Sequence, residues 1–413
     1  MTTTTTTVPH VCRVCSGPLT PFLDLGRQPL SDAFRLPDDP AEEFFFHLRV
    51  GVCGDCAMVQ LLEEVPRDRM FREDYPYRSS GSSVMRAHFT ETARRLLATE
   101  LRGDDAFAVE LGCNDGVMLR TVSEAGVRHL GVEPSGGVAE LARGKGVRVR
   151  TAFFEEDTAR DIAATEGRAD VVYAANTLCH IPYLDSVFRG LDAVLKPTGA
   201  FVFEDPYLGD IVERTSFDQI YDEHFYFFTA RSVRALAHRH GFDLVDVERL
   251  PVHGGEVRYT LSRTGTRTPS PAVAALLAEE EGTALHDLKT LESFATRVDG
   301  VRADLHALLT RLRAEGASVV AYGATAKSAT VTNYCGLTPA LISRVHDTTP
   351  AKQGRLTPGA RLPVHPASDF TAPYPDYALL FAWNHAEEIM AKETAFRAAG
   401  GKWITYVPEV RVL

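Results

Sequence analysis

Tyr221, Asp222, Glu223 and His224 stand side by side in QIYDEHFYFF (residues 219–228), where six of ten residues are Tyr, Phe or Ile. Burying ionisable groups in such a stretch costs free energy. The grouping therefore points to a task that needs a dry site. An imidazole that titrates near neutrality suits proton abstraction. A neighbouring hydroxyl or second imidazole can donate to the oxygen on which charge develops.

Four cysteines form a second grouping. Cys12 and Cys15 lie in CRVC, and Cys53 and Cys56 in CGDC, with 37 residues between the pairs. Two C-x2-C turns can aim four thiolates at one ion, which gives a closed tetrahedral zinc site with bonds of about 2.3 Å. With no open position, the ion is expected to be structural. A redox CxxC is the competing reading, but no thioredoxin-like βαβ pattern surrounds either pair. Residues 1–70 are rich in Pro and Gly and poor in long periodic runs, so a small module there needs a staple.

A third grouping is the turn Glu110-Leu111-Gly112-Cys113-Asn114-Asp115-Gly116, followed by Glu133 at the end of the next apolar run. Gly112 and Gly116 let the backbone approach a ligand closely. Glu133 is placed to accept ribose hydroxyls. The turn is not G-x-G-x-x-G, and Glu110 and Asp115 would repel a pyrophosphate. They suit a cationic ligand carrying an amine and a sulfonium, namely S-adenosylmethionine. E-x-G-x-x-x-G with an acid after strand two resembles the class I methyltransferases.

The elements around these residues alternate. VMRAHFTETARRLLATEL reads as a helix. AFAVELGCNDG, VRHLGVEPS, DVVYAANTL and GAFVFEDP are strands separated by helical stretches, the signature of an α/β domain with a parallel sheet. HGGEVRYTL reads as part of a closing antiparallel hairpin. Ser270-Pro271 marks a helix start, and two long helices are expected over about 271–315. A second α/β unit begins at ASVVAYGATAKSATV. There Lys327 at a helix start, with Lys352 and Gln353 after the next strand, suits a diphosphate.

Nine segments together carry a resemblance over nearly the whole chain: EDYPYRSSGSSVMRAHF, VELGCNDG, GVEPS, NTLCHI, YDEHFYFF, HGGEVRYTL, YGATAKSATVTNYCGL, PAKQGRLTPG and FAWN. In this order they resemble the S-adenosylmethionine-dependent deoxysugar C-methyltransferases of antibiotic biosynthesis, which act on TDP-linked 4-keto sugars, many at C-3. The resemblance implies an enolate route in which His224 takes the C-3 proton. Tyr221 and Glu223 would line the same site, with His180 and Tyr75 or Tyr77 as further polar contacts. Asn176, opening NTLCHI, would join the cofactor contacts, and Lys327, Lys352 and Gln353 would hold the TDP end. Two positions depart from the family pattern: Asp222 adds an acid beside Tyr221, and Glu256 stands where many relatives carry a small polar residue.

The expected organisation is a tail over 1–10, a zinc module over 11–75, a class I methyltransferase domain over 76–265, and a helical linker with a Rossmann-like nucleotide-sugar unit over 266–413. A net charge of −11 in 413 residues opposes binding to nucleic acid. No run of 18 apolar residues is present, and the threonine-rich start lacks the pattern of a secretory signal. A cytoplasmic protein is expected, with a monomer compatible with the sequence. Two other classes fit parts of the pattern. A nicotinamide-dependent oxidoreductase would explain two Rossmann-like units, but not the acidic turn. A zinc-ribbon interaction protein with a degenerate core would bind a macromolecule and methylate nothing.

Overall fold

The computed structural model describes residues 10–70 and 78–413, apart from the Asp68 side chain. Three sheets are present among them. The first is antiparallel and contains β1 (Leu19–Pro29), β2 (Phe45–Cys53) and β3 (Val59–Leu61). Its fourth strand is Tyr226–Phe227, which pairs with β3 although some 165 residues later in sequence. The aromatic stretch around His224 therefore supplies an edge strand of the cysteine module.

The second sheet holds β4 (Phe107–Leu111), β5 (Arg128–Val132), β6 (Val149–Arg150), β7 (Ala169–Ala175) and β8 (Leu195–Pro206) in parallel. Labelling Tyr226–Phe227 β9, the sheet is closed by the antiparallel hairpin β10 (Phe242–Leu250) and β11 (Glu256–Arg263). The strand order is β10-β11-β8-β7-β4-β5-β6. Strand order reverses between β4 and β7, and a ligand crevice opens at such a switch point. Every residue of β4 is buried, as a central strand covered on both faces requires.

The third sheet has the order β14-β13-β12-β15-β16-β17. It comprises β12 (Val319–Tyr322), β13 (Val345–Asp347), β14 (Val364–Pro366), β15 (Tyr377–Leu380) and β16 (Lys402–Thr405), all parallel, and the antiparallel edge β17 (Arg411–Val412). The helices Pro271–Gly282 and Leu288–Ala314 precede it. Ser270 is the N-cap of the first, with Pro271 at its start, although the serine hydroxyl bonds Asp246 at 2.6 Å rather than the helix. The longer helix buries Leu291, Phe294, Val298 and Val301, a stripe at three- and four-residue spacing.

Residues 216–228 join all three parts. Leu61 N–H donates to the Phe225 carbonyl at 2.9 Å, and Ser31 N–H to Asp222 Oδ1 at 3.0 Å. From the third sheet's side, Thr330 Oγ1 donates to the Ile220 carbonyl at 2.8 Å. Trp383 Nε1 and the Tyr406 hydroxyl both donate to Asp218 Oδ2, at 2.7 and 2.6 Å. The extra acid Asp222 is thus a pin to the cysteine module. Burial is the main reason its carboxyl rises to about 7.

Candidate active site

The four cysteines sit on two matching knuckles. Ser16 N–H returns to the Cys12 carbonyl at 2.8 Å, and Ala57 N–H to the Cys53 carbonyl at 3.1 Å. Ser16 and Ala57 take positive φ values of 63° and 60°, which turn each chain back sharply. Cys12 Sγ lies 3.6 Å from Cys56 Sγ, and Cys15 Sγ 3.4 Å from Cys53 Sγ. A tetrahedral Zn–S4 site with bonds of about 2.3 Å needs sulfur separations of about 3.8 Å. All four sulfurs lie within 4.8 Å of one another, so the cluster fits zinc with small adjustments. Val14 N–H and Gly17 N–H point at Cys12 and Cys15 sulfurs, both at 3.4 Å, and stabilise thiolate charge.

The turn after β4 is built for close approach. Gly112 has φ +62°, and a Cβ there would lie 2.3 Å from Thr177 Oγ1. Gly116 caps the following helix in a left-handed conformation. Glu133 is engaged by backbone: its Oε2 accepts Asn114 N–H at 3.0 Å and its Oε1 accepts Ser135 N–H at 2.9 Å. Each oxygen keeps a second lone pair. Asp115 is not a free acid, because Lys145 Nζ donates to its Oδ2 at 2.8 Å and Ser80 Oγ bonds the same oxygen. Glu110 lies beneath the same turn. Burial, then Glu133 and Asp115, hold its carboxyl well above the ordinary range. Glu110 Oε2 and Asp115 Oδ1 are buried without a hydrogen-bond partner among the described residues. These unmet acceptors and the glycine cradle fit a polar, cationic cofactor such as S-adenosylmethionine. Asn176, at φ 48°, opens the neighbouring turn after β7 and donates N–H to the Glu204 carbonyl at 2.7 Å.

The same turn leads to the catalytic candidates. Thr177 presses on Gly112, and the 3-10 turn Leu178–His180 follows at once. Phe225 N–H donates to the Cys179 carbonyl at 2.8 Å, which locks this turn against residues 221–224. The rings of His180 and His224 are 5.0 Å apart. His224 Nδ1 lies 2.8 Å from the Gln219 carbonyl oxygen. A carbonyl only accepts, so Nδ1 carries the proton and Nε2 presents its lone pair. That lone pair accepts the Tyr221 hydroxyl at 2.8 Å. Burial first, then His180, pushes the His224 imidazole well below its usual pKa; burial alone takes His180 to about 4. Both rings are neutral at pH 7. Glu223, 3% exposed, approaches His180 Nδ1 at 3.9 Å. It stands closer to His180 than to a role in orienting His224, which falls to Gln219.

The structure thus brings Tyr221, Glu223, His224 and His180 together, beside the turn carrying Glu110, Gly112, Asn114 and Gly116. Tyr75 and Tyr77 lie outside the described residues. Lys327 reaches the same region from the third sheet. Its Nζ sits 4.6 Å from the centre of the Trp383 ring and makes no ion pair or hydrogen bond among the described residues. Burial lowers its pKa, and Asp218 and Glu256 oppose that shift. Lys352 and Gln353 are used differently. Lys352 Nζ donates to Asp32 Oδ1 and to the Ala324 carbonyl, both at 3.0 Å, and packs over Phe34. Gln353 Nε2 donates to the Asp347 carbonyl at 3.0 Å.

Three contributors escaped the sequence reading. Gln219 acts through a backbone carbonyl and leaves no side-chain signal. Asp218 bonds groups more than 160 residues away. Asp205, fully buried at the end of β8, rises to about 8, chiefly by burial; its place at a strand end was the available clue. Glu256 is equally buried and is held well above the carboxylate range by burial, then Glu204.

Comparison with known proteins follows this architecture. Family models match residues 12–71 (zinc binding domain), 85–247 (methyltransferase domain) and 251–408 (C-methyltransferase C-terminal domain). The C-methyltransferase NovU from Streptomyces niveus is 34% identical over 97% of this chain and 96% of its own. The sterol 4-C-methyltransferase strm-1 from Caenorhabditis elegans is 25% identical over 30% of this chain and 36% of its own. Among solved structures, the PH0226 protein from Pyrococcus horikoshii overlaps with a TM-score of 0.37 at 18% identity, covering 48% of this chain and 98% of that one. Given the end-to-end match to NovU and the three successive domain models, the chain belongs to the S-adenosylmethionine-dependent, zinc-binding C-methyltransferases.

Proposed function

We propose that the protein methylates C-3 of a TDP-linked 4-keto-deoxysugar through an enolate, in a deoxysugar pathway of antibiotic biosynthesis. The observation that carries this reading is the Gln219–His224–Tyr221 relay beside the glycine turn. It offers a buried, neutral imidazole whose tautomer is fixed and whose Nε2 faces a hydroxyl. NovU, a C-methyltransferase that aligns over 97% of this chain and 96% of its own, supports the reaction type.

In this reading the substrate ketone takes over the Tyr221 hydroxyl, which then donates to the C-4 oxygen. His224 Nε2 is freed by the same movement and takes the C-3 proton. The C–H bond breaks, an N–H bond forms, and the electron pair spreads from C-3 to the C-4 oxygen. Neutral His180 serves as a second donor there. Bound in the first turn, S-adenosylmethionine supplies an electrophilic methyl group. Lys327, without an ionic partner among the described residues, meets the diphosphate. Lys352 and Gln353 contribute only by leaving the contacts they already make. Tyr75 or Tyr77 adds a polar contact to the sugar. Cysteines that form no disulfide accord with the reducing cytoplasm.

His224→Asn tests the proposal. Labelled S-adenosylmethionine is incubated with a panel of TDP-4-keto sugars and the label is located on the sugar carbon. In parallel, C-3 proton exchange is followed in D2O without the methyl donor. The variant is expected to lose about 10²–10⁴-fold in both readouts while keeping its circular dichroism. Near-normal exchange and turnover in the variant remove His224 from the mechanism.

A further inference from the structure

We propose that Cys179, His180 and His224 form a second metal site, distinct from the four-cysteine cluster, which takes Zn2+ and silences the catalytic imidazole. One ligand atom from each of the three residues lies within 4.8 Å of the other two. Cys179 and His180 share one 3-10 turn, and the Phe225 N–H to Cys179 carbonyl bond holds that turn against the His224 segment. The trio is thus pre-assembled and needs only a contraction of about an ångström to reach zinc-ligand separations.

A buried carboxyl also adjoins the trio: Asp205, fully buried at the end of β8, lies against Cys179. Glu223, 3% exposed, stands 3.9 Å from His180 Nδ1. One thiolate and two imidazoles leave a fourth coordination position for water or a carboxylate, as in zinc sites that are not closed.

Binding carries a stoichiometric cost. The Cys179 S–H bond breaks, a Zn–S bond forms, and the proton leaves to the buffer. His224 must also release Tyr221 to offer Nε2, or Gln219 to offer Nδ1. Affinity is therefore lower than at the four-cysteine cluster, and a bound ion holds the lone pair that would take the substrate proton.

The test uses the full chain with its first zinc in place. Co2+ is titrated in, and metal per chain is counted after dialysis together with the thiolate-to-cobalt charge-transfer band. The wild type is expected to take a second ion with an added thiolate band. Cys179→Ala is expected to keep only the first ion and to lack that band; Cys179→Ser serves the same comparison if the alanine variant folds poorly. In turnover assays at buffered free Zn2+, the wild type is inhibited. Cys179→Ala retains basal turnover and needs at least tenfold more zinc for half-inhibition. One ion per chain in excess metal overturns the proposal, as does an added band or equal zinc sensitivity in Cys179→Ala. The proposal rests on the proposed function only for its inhibitory consequence. The metal count decides the site even if no sugar in the panel is methylated.

Discussion

The two parallel units of this chain share one turn and put it to different uses. After β4, Gly112 N–H bonds the Val132 carbonyl at 2.8 Å, and Glu133 accepts Asn114 N–H and Ser135 N–H. After β12, Gly323 N–H bonds the His346 carbonyl at 2.8 Å. Asp347 accepts Ala324 N–H at 2.6 Å and Thr349 N–H at 2.7 Å. In each unit the acid ending the second strand braces the glycine turn that follows the first. An acid at that position therefore has a structural task whether or not it also meets a ribose. The units differ in what surrounds the brace. The first turn has Glu110 beneath it and Thr177 against its glycine. The second has Lys327 at the start of its helix, under Trp383. Shared backbone geometry sets where a ligand can approach, and the side chains set its charge.

The sharpest way to break this comparison is to obstruct each glycine in turn. A Cβ at Gly112 would lie 2.3 Å from Thr177 Oγ1 at φ +62°, and one at Gly323 2.7 Å from Ala382 Cβ at φ +89°. Overpacking and left-handed strain together cost about 2–4 kcal/mol, roughly 30- to 1000-fold in affinity. Gly112→Ala is expected to weaken S-adenosylmethionine binding by that factor in calorimetry. Gly323→Ala is expected to leave methyl-donor affinity unchanged and to weaken the nucleotide sugar instead. Equal losses of methyl-donor affinity in both would end the division of ligands between the units.

A smaller effect is expected from Lys327→Ala. Loss of a charge-assisted bond of about 1.5–3 kcal/mol raises the substrate KM by roughly 10- to 150-fold. Affinity for S-adenosylmethionine should not move. Unchanged affinity for TDP would place the diphosphate elsewhere.

The smallest effect concerns the buried acids around the first unit. Asp205 rises from 3.8 to about 8, mainly by burial, so the native state holds a proton that the unfolded chain has lost. Its contribution is complete below pH about 4 and fades as pH rises through 8. Buried His180, at about 4, acts on the other side: its contribution is complete above 6.5 and fades as pH falls through 4. Asp205→Asn is expected to reduce the fall in Tm between pH 6.5 and 8.5 by a few degrees, with little change below pH 4. Parallel curves for variant and wild type would show that Asp205 is charged when buried.

Much of this was legible in the chain. The paired cysteines, the strand-turn-helix alternation and the Ser270-Pro271 helix start are local patterns, and local sterics and periodicity carry them. The aromatic stretch around His224 was legible as buried but not as a strand of the cysteine module. Strand pairing between Val59–Leu61 and Tyr226–Phe227 has no local signature. Asp115 read as a bare acid because nothing local shows that Lys145, thirty residues on, neutralises it. Nor does anything local show that Lys352 forms an ion pair with Asp32, 320 residues away.

The chemical inventory is written in the chain: four thiols at zinc spacing, a glycine turn with acids, and an imidazole among aromatics. Residue type and short spacing fix these because they depend on side-chain chemistry and on one turn of backbone. Folding settled which nitrogen of His224 carries the proton, since the Gln219 carbonyl sets the tautomer. It likewise decided which charges are already cancelled, because cancellation is a matter of distance between segments that the chain brings together only when folded.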